Sequence, residues 1–139
     1  MTDFNDTIIN EFRSNGGHVE TAGFGDKLVV LHSIGAKSGD VRLNPLLGLP
    51  EGNSWLIVGS AAGSPKDPAW VHNLRATPDI DVEVPGDGEV KTIKVHVSEV
   101  PDSEWAENWK KFTDFSDGFK EYEKTAEGRT FPIFRLNPA

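Results

Sequence analysis

The sequence predicts an α+β domain that is mainly β, with about six short antiparallel strands curling into a small barrel and helices packed around it. Three observations predict it. Short apolar or alternating runs recur between turns rich in glycine and proline, the pattern of strands joined by tight connections. Segments with helical periodicity are few and do not alternate with the strands as a doubly wound parallel sheet requires. The 139 residues suffice for one hydrophobic core and are too few for two ordinary ones, so residues 1–139 form a single domain.

Taken in order, Phe4, Ile8, Ile9 and Phe12 recur at helical spacing ahead of Gly16 and Gly17, which predicts a helix over 3–15 with a glycine stop, lying against the barrel. Leu28-Val29-Val30-Leu31 reads as a buried strand, with Val41 to Leu49 as its hairpin partner across a glycine-bracketed turn. Pro50-Glu51-Gly52-Asn53 turns the chain into a third strand over 54–60. A helix over 67–77 is closed by Thr77-Pro78, and a short strand over 80–84 comes next. The strand after it alternates Ile93, Val95 and Val97 with Lys94, His96 and Ser98, which puts His96 on the solvent face. Pro101 and Asp102 open a helix whose Trp105, Trp109 and Phe112 form a core-facing stripe. Phe115, Phe119 and Tyr122 continue the aromatics into a second short helix, as further core or as the lining of a pocket, and 131–136 is the last strand.

Composition narrows the function. There are no cysteines, which excludes disulfides, thiolate metal sites and cysteine nucleophiles. His18, His32, His72 and His96 form no close ligand pair, so no metal is expected. A formal charge of -8 argues against general nucleic-acid binding, and an anionic ligand would need a local cationic patch. Lys37, Arg42, Lys66 and Arg75 are placed to supply one, or are solvated surface charges. No run is long and apolar enough to span a bilayer, and no basic, apolar and cleavable leader opens the chain. The expected location is the cytoplasm, with peripheral membrane contact left open.

Two stretches carry the chemistry. Gly35-Ala36-Lys37-Ser38-Gly39 sets a cation and a hydroxyl at a hairpin tip with Arg42 just beyond, which is a grip for phosphate or carboxylate or else a bare turn. It lacks the Walker order. Downstream, Gly59-Ser60-Ala61-Ala62-Gly63 leads from the apolar run Trp55 to Val58 into Asp67-Pro68 and a helix. Small residues there permit close backbone approach by a flat or anionic ligand, and Asp67 with Pro68 suits a helix start. The bland alternative is an ordinary loop before a surface helix. No nucleophile elbow and no dinucleotide glycine fingerprint is present, so redox chemistry would come from a tightly cradled organic cofactor.

With Glu11 to Gly17, Asn44-Pro45-Leu46, Ser60-x-x-Gly63, Pro68-x-Trp70-x-x-Asn73-Leu74, Tyr122, Thr125, Arg129 and Phe131-Pro132-Ile133, these stretches resemble the deazaflavin-dependent nitroreductase family along nearly the whole chain. That family has a split β-barrel, related to FMN-binding split barrels, and binds coenzyme F420. The resemblance implies that Ala36, Lys37, Ser38 and Arg42 grip the phosphate and oligoglutamate tail, and that Leu43, Asn44, Pro45, Leu46 and Leu47 continue beside the cofactor. It implies that Val58, Gly59, Ser60 and Ala61 meet the deazaflavin ring, partly through backbone groups. Ala69, Trp70, Val71, His72 and Asn73 would close the site around the tail, with Phe119 near the cofactor.

The implied reaction passes a hydride from C5 of the reduced ring of F420H2 to a planar electrophile such as a quinone, enone or nitroaromatic. Ser60 is the candidate hydrogen-bond donor to substrate or ring, or a serine satisfying its own turn. Ala36 and Ala61 stand where some members carry basic residues, so tail binding would be weaker or shared with Lys66. Leu47 and Phe115 stand at or near positions of pocket tyrosines, which disfavours nitroimidazole reduction. Two other readings are an FMN-binding split-barrel protein and a non-catalytic F420 carrier. Either a monomer or a homodimer is compatible with the sequence.

Overall fold

The computed structural model describes residues 4–21, 24–59, 69–86, 88–116, 119–121 and 131–139. The elements are α1 (Phe4–Ser14), β1 (Leu28–Ile34), β2 (Val41–Leu47), β3 (Leu49–Glu51), β4 (Ser54–Val58), α2 (Ala69–Ala76), β5 (Asp79–Pro85), β6 (Val90–Glu99), α3 (Asp102–Phe115) and β7 (Ile133–Pro138). Residues 119–121 are also helical. None of the described helices is long and apolar enough to cross a membrane.

All pairings are antiparallel, in the order β2-β1-β5-β6-β7-β4-β3. The two strands at the ends of that order are separated in sequence only by Gly48. One residue spans a few ångströms, so the two edges are drawn together and the sheet must curl into a barrel. Six strands are expected from the sequence and seven are present among the described residues, because the run Val41 to Leu49 breaks at Gly48. A Cβ at Gly48 would lie 2.8 Å from Val29 Cγ1, and the Gly48 N–H donates to the Lys27 carbonyl at 2.7 Å. The bend thus has no room for a side chain. Pro45 and Pro50 fall on the two edge strands, where a missing N–H costs no ladder bond.

Strand alternation divides the apolar residues between two faces. Val29 and Leu31 of β1, Ile57 of β4, Ile80, Val82 and Val84 of β5, Val95 and Val97 of β6 and Phe134 and Leu136 of β7 form the main core with Trp70, Val71 and Leu74 of α2. On the other face, Leu28 and Val30 pack under Ile8, Ile9 and Phe12 of α1. Leu49, Leu56, Val58 and Ile133 pack under Trp109 and Phe112 of α3, joined by Phe131. Both expected helical stripes therefore face the barrel. α1 ends at its glycines: the Gly17 N–H donates to the Phe12 carbonyl at 2.8 Å, with Gly16 at φ +64° and Gly17 at φ +100°, a left-handed stop open chiefly to glycine. His96 is exposed, as its place in the alternation requires.

Candidate functional site

The hairpin tip between β1 and β2 is closed by its own backbone. The Gly35 N–H donates to the Asp40 carbonyl and the Gly39 N–H to the Gly35 carbonyl, both at 2.8 Å. Gly39 sits at φ +75°, and a Cβ at Gly35 would come within 2.5 Å of Ser38 Oγ. That hydroxyl oxygen accepts the Asp40 N–H at 3.2 Å, which leaves its proton for an acceptor outside the turn. Lys37 stands exposed at the tip.

α2 faces this turn. Its Trp70, Val71 and Leu74 are buried in the main core, so Ala69, His72 and Asn73 are presented on the other side. Asn73 Oδ1 accepts the Ala36 N–H at 3.0 Å, a contact across 37 residues of sequence that ties the helix to the hairpin tip. Gly59 lets α2 come close: a Cβ there would lie 2.7 Å from Val71 Cγ2 and 3.1 Å from Pro132 Cγ. The Gly59 N–H donates to the Pro132 carbonyl at 2.8 Å, so that amide is already committed within the protein.

Between turn, strand and helix lies a groove of about 600 Å³, lined by Gly35, Ala36, Lys37, Ser38, Arg42, Asn44, Ala69, Trp70, His72 and Asn73. Arg42 and Asn44 reach it because β2 pairs Asn44 with the core residue Leu31, so Arg42, Asn44 and Leu46 share the inner face. Asn44 Oδ1 accepts the hydroxyl of the fully buried Ser33 at 2.8 Å. Its amide nitrogen is left as the donor for the groove. Among the described residues, neither Lys37 nor Arg42 has a carboxylate in ion-pair contact.

The other expected site residues fall elsewhere. Leu43, 38% exposed, Pro45 and Leu47 lie on the outer face of β2. Leu47, Val58 and Phe119 belong to the cluster beneath α3, where the Phe119 ring lies 5.8 Å from that of Trp109 and 5.5 Å from that of Phe112. Leu46 packs against the main core, and Val71 is fully buried within it. Leu47 and Val58 thus lie together on the outer face, beneath α3. Ser60, Ala61, Lys66, Asp67, Pro68, Tyr122, Thr125 and Arg129 lie outside the described residues.

Of the four cations that the sequence places near the site, Arg75 is spent: its Nε and Nη2 donate to Glu99 at 3.0 and 2.9 Å. Asn73 is expected against the ligand, but its bond to the hairpin tip is not legible in the sequence. An extended anion fits the donor set that remains, two cations, a hydroxyl and an amide on a floor formed by Trp70.

The chain is similar to known proteins along nearly its whole length. A family model described as F420H(2)-dependent quinone reductase matches residues 6–138. The F420H(2)-dependent quinone reductase Rv1261c of Mycobacterium tuberculosis (strain ATCC 25618 / H37Rv) is 41% identical over 56 residues, which span 40% of this chain and 38% of that protein. The solved F420-H2 dependent reductase FDR-A superposes with a TM-score of 0.67 at 29% identity, covering 80% of this chain and 94% of that one. A second solved chain, described as a domain-swapped dimer, superposes with a TM-score of 0.69 at 27% identity, over 93% of this chain and 94% of its own. The curled antiparallel sheet is thus that of a split β-barrel, and the chain belongs to the F420H2-dependent quinone reductase family.

Proposed function

We propose that this chain is an F420H2-dependent oxidoreductase that reduces a planar acceptor of the quinone class. The observation that carries the reading is the groove itself. In a chain of net charge -8, two cations without a carboxylate partner among the described residues are gathered where the Ala36–Asn73 hydrogen bond joins the two glycine-punctuated stretches. Fixed cations in such a setting favour a polyanionic tail over the solvent's own counter-ions.

Lys37, Arg42, the Ser38 hydroxyl and the Asn44 amide would hold the phosphate and carboxylates of the F420 tail. The apolar outer face at Leu47 and Val58 would receive the ring. When bound, reduced F420 supplies a hydride equivalent at ring C5, which with one proton from solvent takes a quinone to its hydroquinone. The protein's part is positional. Arg42 and Asn44 would anchor the tail on β2, so that the ring end would be held for contact with the acceptor with one face presented. The apolar cluster beneath α3 would keep water from that side of the ring.

The test mixes purified protein with F420 and, separately, with FMN, monitoring fluorescence, and then offers reduced F420 with menadione while the deazaflavin absorbance is recorded. Saturable F420 binding with acceptor-dependent reoxidation is expected. Binding without reoxidation would identify a carrier, and preference for FMN would overturn the assignment.

A further inference from the structure

Four polar side chains are buried among the described residues, those of Ser33, Glu83, Asn108 and Thr113. Three of them serve the scaffold. Glu83 is held by Arg13 and His32, Asn108 donates to the Glu104 carbonyl one turn back along α3, and Thr113 donates to the Lys110 carbonyl of the same helix. Ser33 alone bonds to a lining residue of the groove, Asn44.

Ser33 lies on the inner face of β1, in step with the core residues Val29 and Leu31 and directly opposite Arg42 on β2. It is fully buried, and its hydroxyl donates to Asn44 Oδ1 at 2.8 Å, with no other side-chain partner among the described residues. An amide can turn either end toward a hydroxyl, but the two arrangements are not equal here. With Oδ1 toward Ser33, the buried O–H has its acceptor; with Nδ2 toward it, the same proton would be stranded in apolar surroundings. Asn44 is therefore locked with Nδ2 toward the groove, where no described residue accepts from it.

The reverse orientation would set a carbonyl oxygen beside Lys37 and Arg42, and that oxygen would repel a phosphate or carboxylate. Resting on the F420 reading, we propose that Ser33, itself buried out of reach of a ligand, is a positioning residue for tail recognition. Its hydroxyl fixes the polarity of the Asn44 amide, and through that amide the preference of the groove for an anion.

The experiment measures dissociation constants by fluorescence for F420 and for the tail-less deazaflavin alcohol, because effects on the ring are common to both and cancel in their ratio. The proteins are the unsubstituted chain, Ser33→Ala, Ser33→Thr and Ser33→Val, each with a melting curve. Ser33→Ala is expected to lower the preference for F420 by roughly three- to ten-fold, the scale of one hydrogen bond. Thr and Val have nearly the same shape and both suit a strand, so Ser33→Thr should keep the preference and Ser33→Val should lose it. A role confined to packing would move those two alike. In an Asn44→Ala background, Ser33→Ala should change the ratio no further, the signature of a residue that acts through another. Ser33→Ala and Ser33→Val remove the hydroxyl by two routes, so the test survives if one of them does not fold.

Equal preference in Ser33→Thr and Ser33→Val, or an undiminished effect of Ser33→Ala when residue 44 is already alanine, would overturn the inference and leave the F420 reading intact. F420 binding no tighter than the tail-less compound to the unsubstituted chain would overturn the tail placement and the inference together. Failure of that chain to bind either ligand would sink the cofactor assignment itself.

Discussion

The groove at the hairpin tip and the cluster beneath α1 are both built on β1, and they treat charge in opposite ways. Beneath α1, Glu83 has a side chain only 6% exposed, and its carboxylate is claimed from two elements. Arg13 donates through Nε at 2.9 Å and Nη2 at 2.7 Å, and His32 Nε2 lies 2.8 Å away. The Arg13 hydrogen bond, with help from His32, holds the Glu83 carboxyl below its ordinary value of 4.5 against the opposing effect of burial. Across the sheet, Lys37 and Arg42 face solvent with no carboxylate in ion-pair contact among the described residues. The contrast separates charge used to dock a helix from charge held ready for a ligand. A cation is informative about function only after its internal partners are counted.

The strongest way to break that contrast is to remove the unspent charge. Lys37→Ala with Arg42→Ala should weaken F420 binding by roughly 3 kcal/mol, about two orders of magnitude in Kd. Thermal stability should hardly change, since neither residue holds an ion pair with a described residue. Fluorescence titration with a parallel melting curve measures both. A large loss of stability with unaltered affinity would mean the two regions had been read the wrong way round.

The complementary change is Arg13→Ala, which strands a carboxylate whose side chain is almost fully covered. With Arg13 itself 47% exposed, the loss should fall between the values typical of surface and buried pairs, at about 2 kcal/mol near neutrality. The sign with pH comes from the depressed carboxyl. Its contribution is fully present above the unfolded value near 4.5 and is lost as pH falls through the lower folded value. Urea unfolding of both proteins should therefore give a gap that is widest above pH 4.5 and closes on acidification. F420 affinity should stay the same.

How much of this is legible in the sequence depends on whether the cause is local. The stop at Gly16 and Gly17, the closed turn at Gly35 and Gly39, and the stripes of α1 and α3 arise from propensities and spacing a few residues long. Gly48 does not declare itself, because Val41 to Leu49 reads as one apolar strand and the bend answers to Val29 and Lys27 on and beside a neighbouring strand. Glu83 alternates with Asp79 and Asp81 as a solvent-facing acid would, and only the arrival of α1 buries it. Arg75 looks like part of the cationic patch because Glu99 is 24 residues away.

Asn73 joins the two ends of the site and gives a smaller test. Asn73→Ala removes the acceptor of the Ala36 N–H, which lies at an exposed turn where water can replace it. Loss of stability should be about 1 kcal/mol or less. F420 affinity should fall by a similar amount, as the turn and α2 lose their fixed separation. Asn73→Asp keeps an acceptor but adds a negative charge to the groove. It should preserve stability and still weaken binding, which separates the role in docking from the electrostatic one.

Arg75→Ala should have the smallest effect, and its smallness is the point. Arg75 lies on the same short helix as His72 and Asn73, and by sequence alone it is as good a tail ligand as Arg42. Its guanidinium is held by both oxygens of Glu99, and the two side chains are 43% and 42% exposed. The pair is worth well under about 1 kcal/mol to stability. Because Arg75 and Glu99 cancel at the distance of the groove, removing both should leave the salt dependence of F420 binding unchanged.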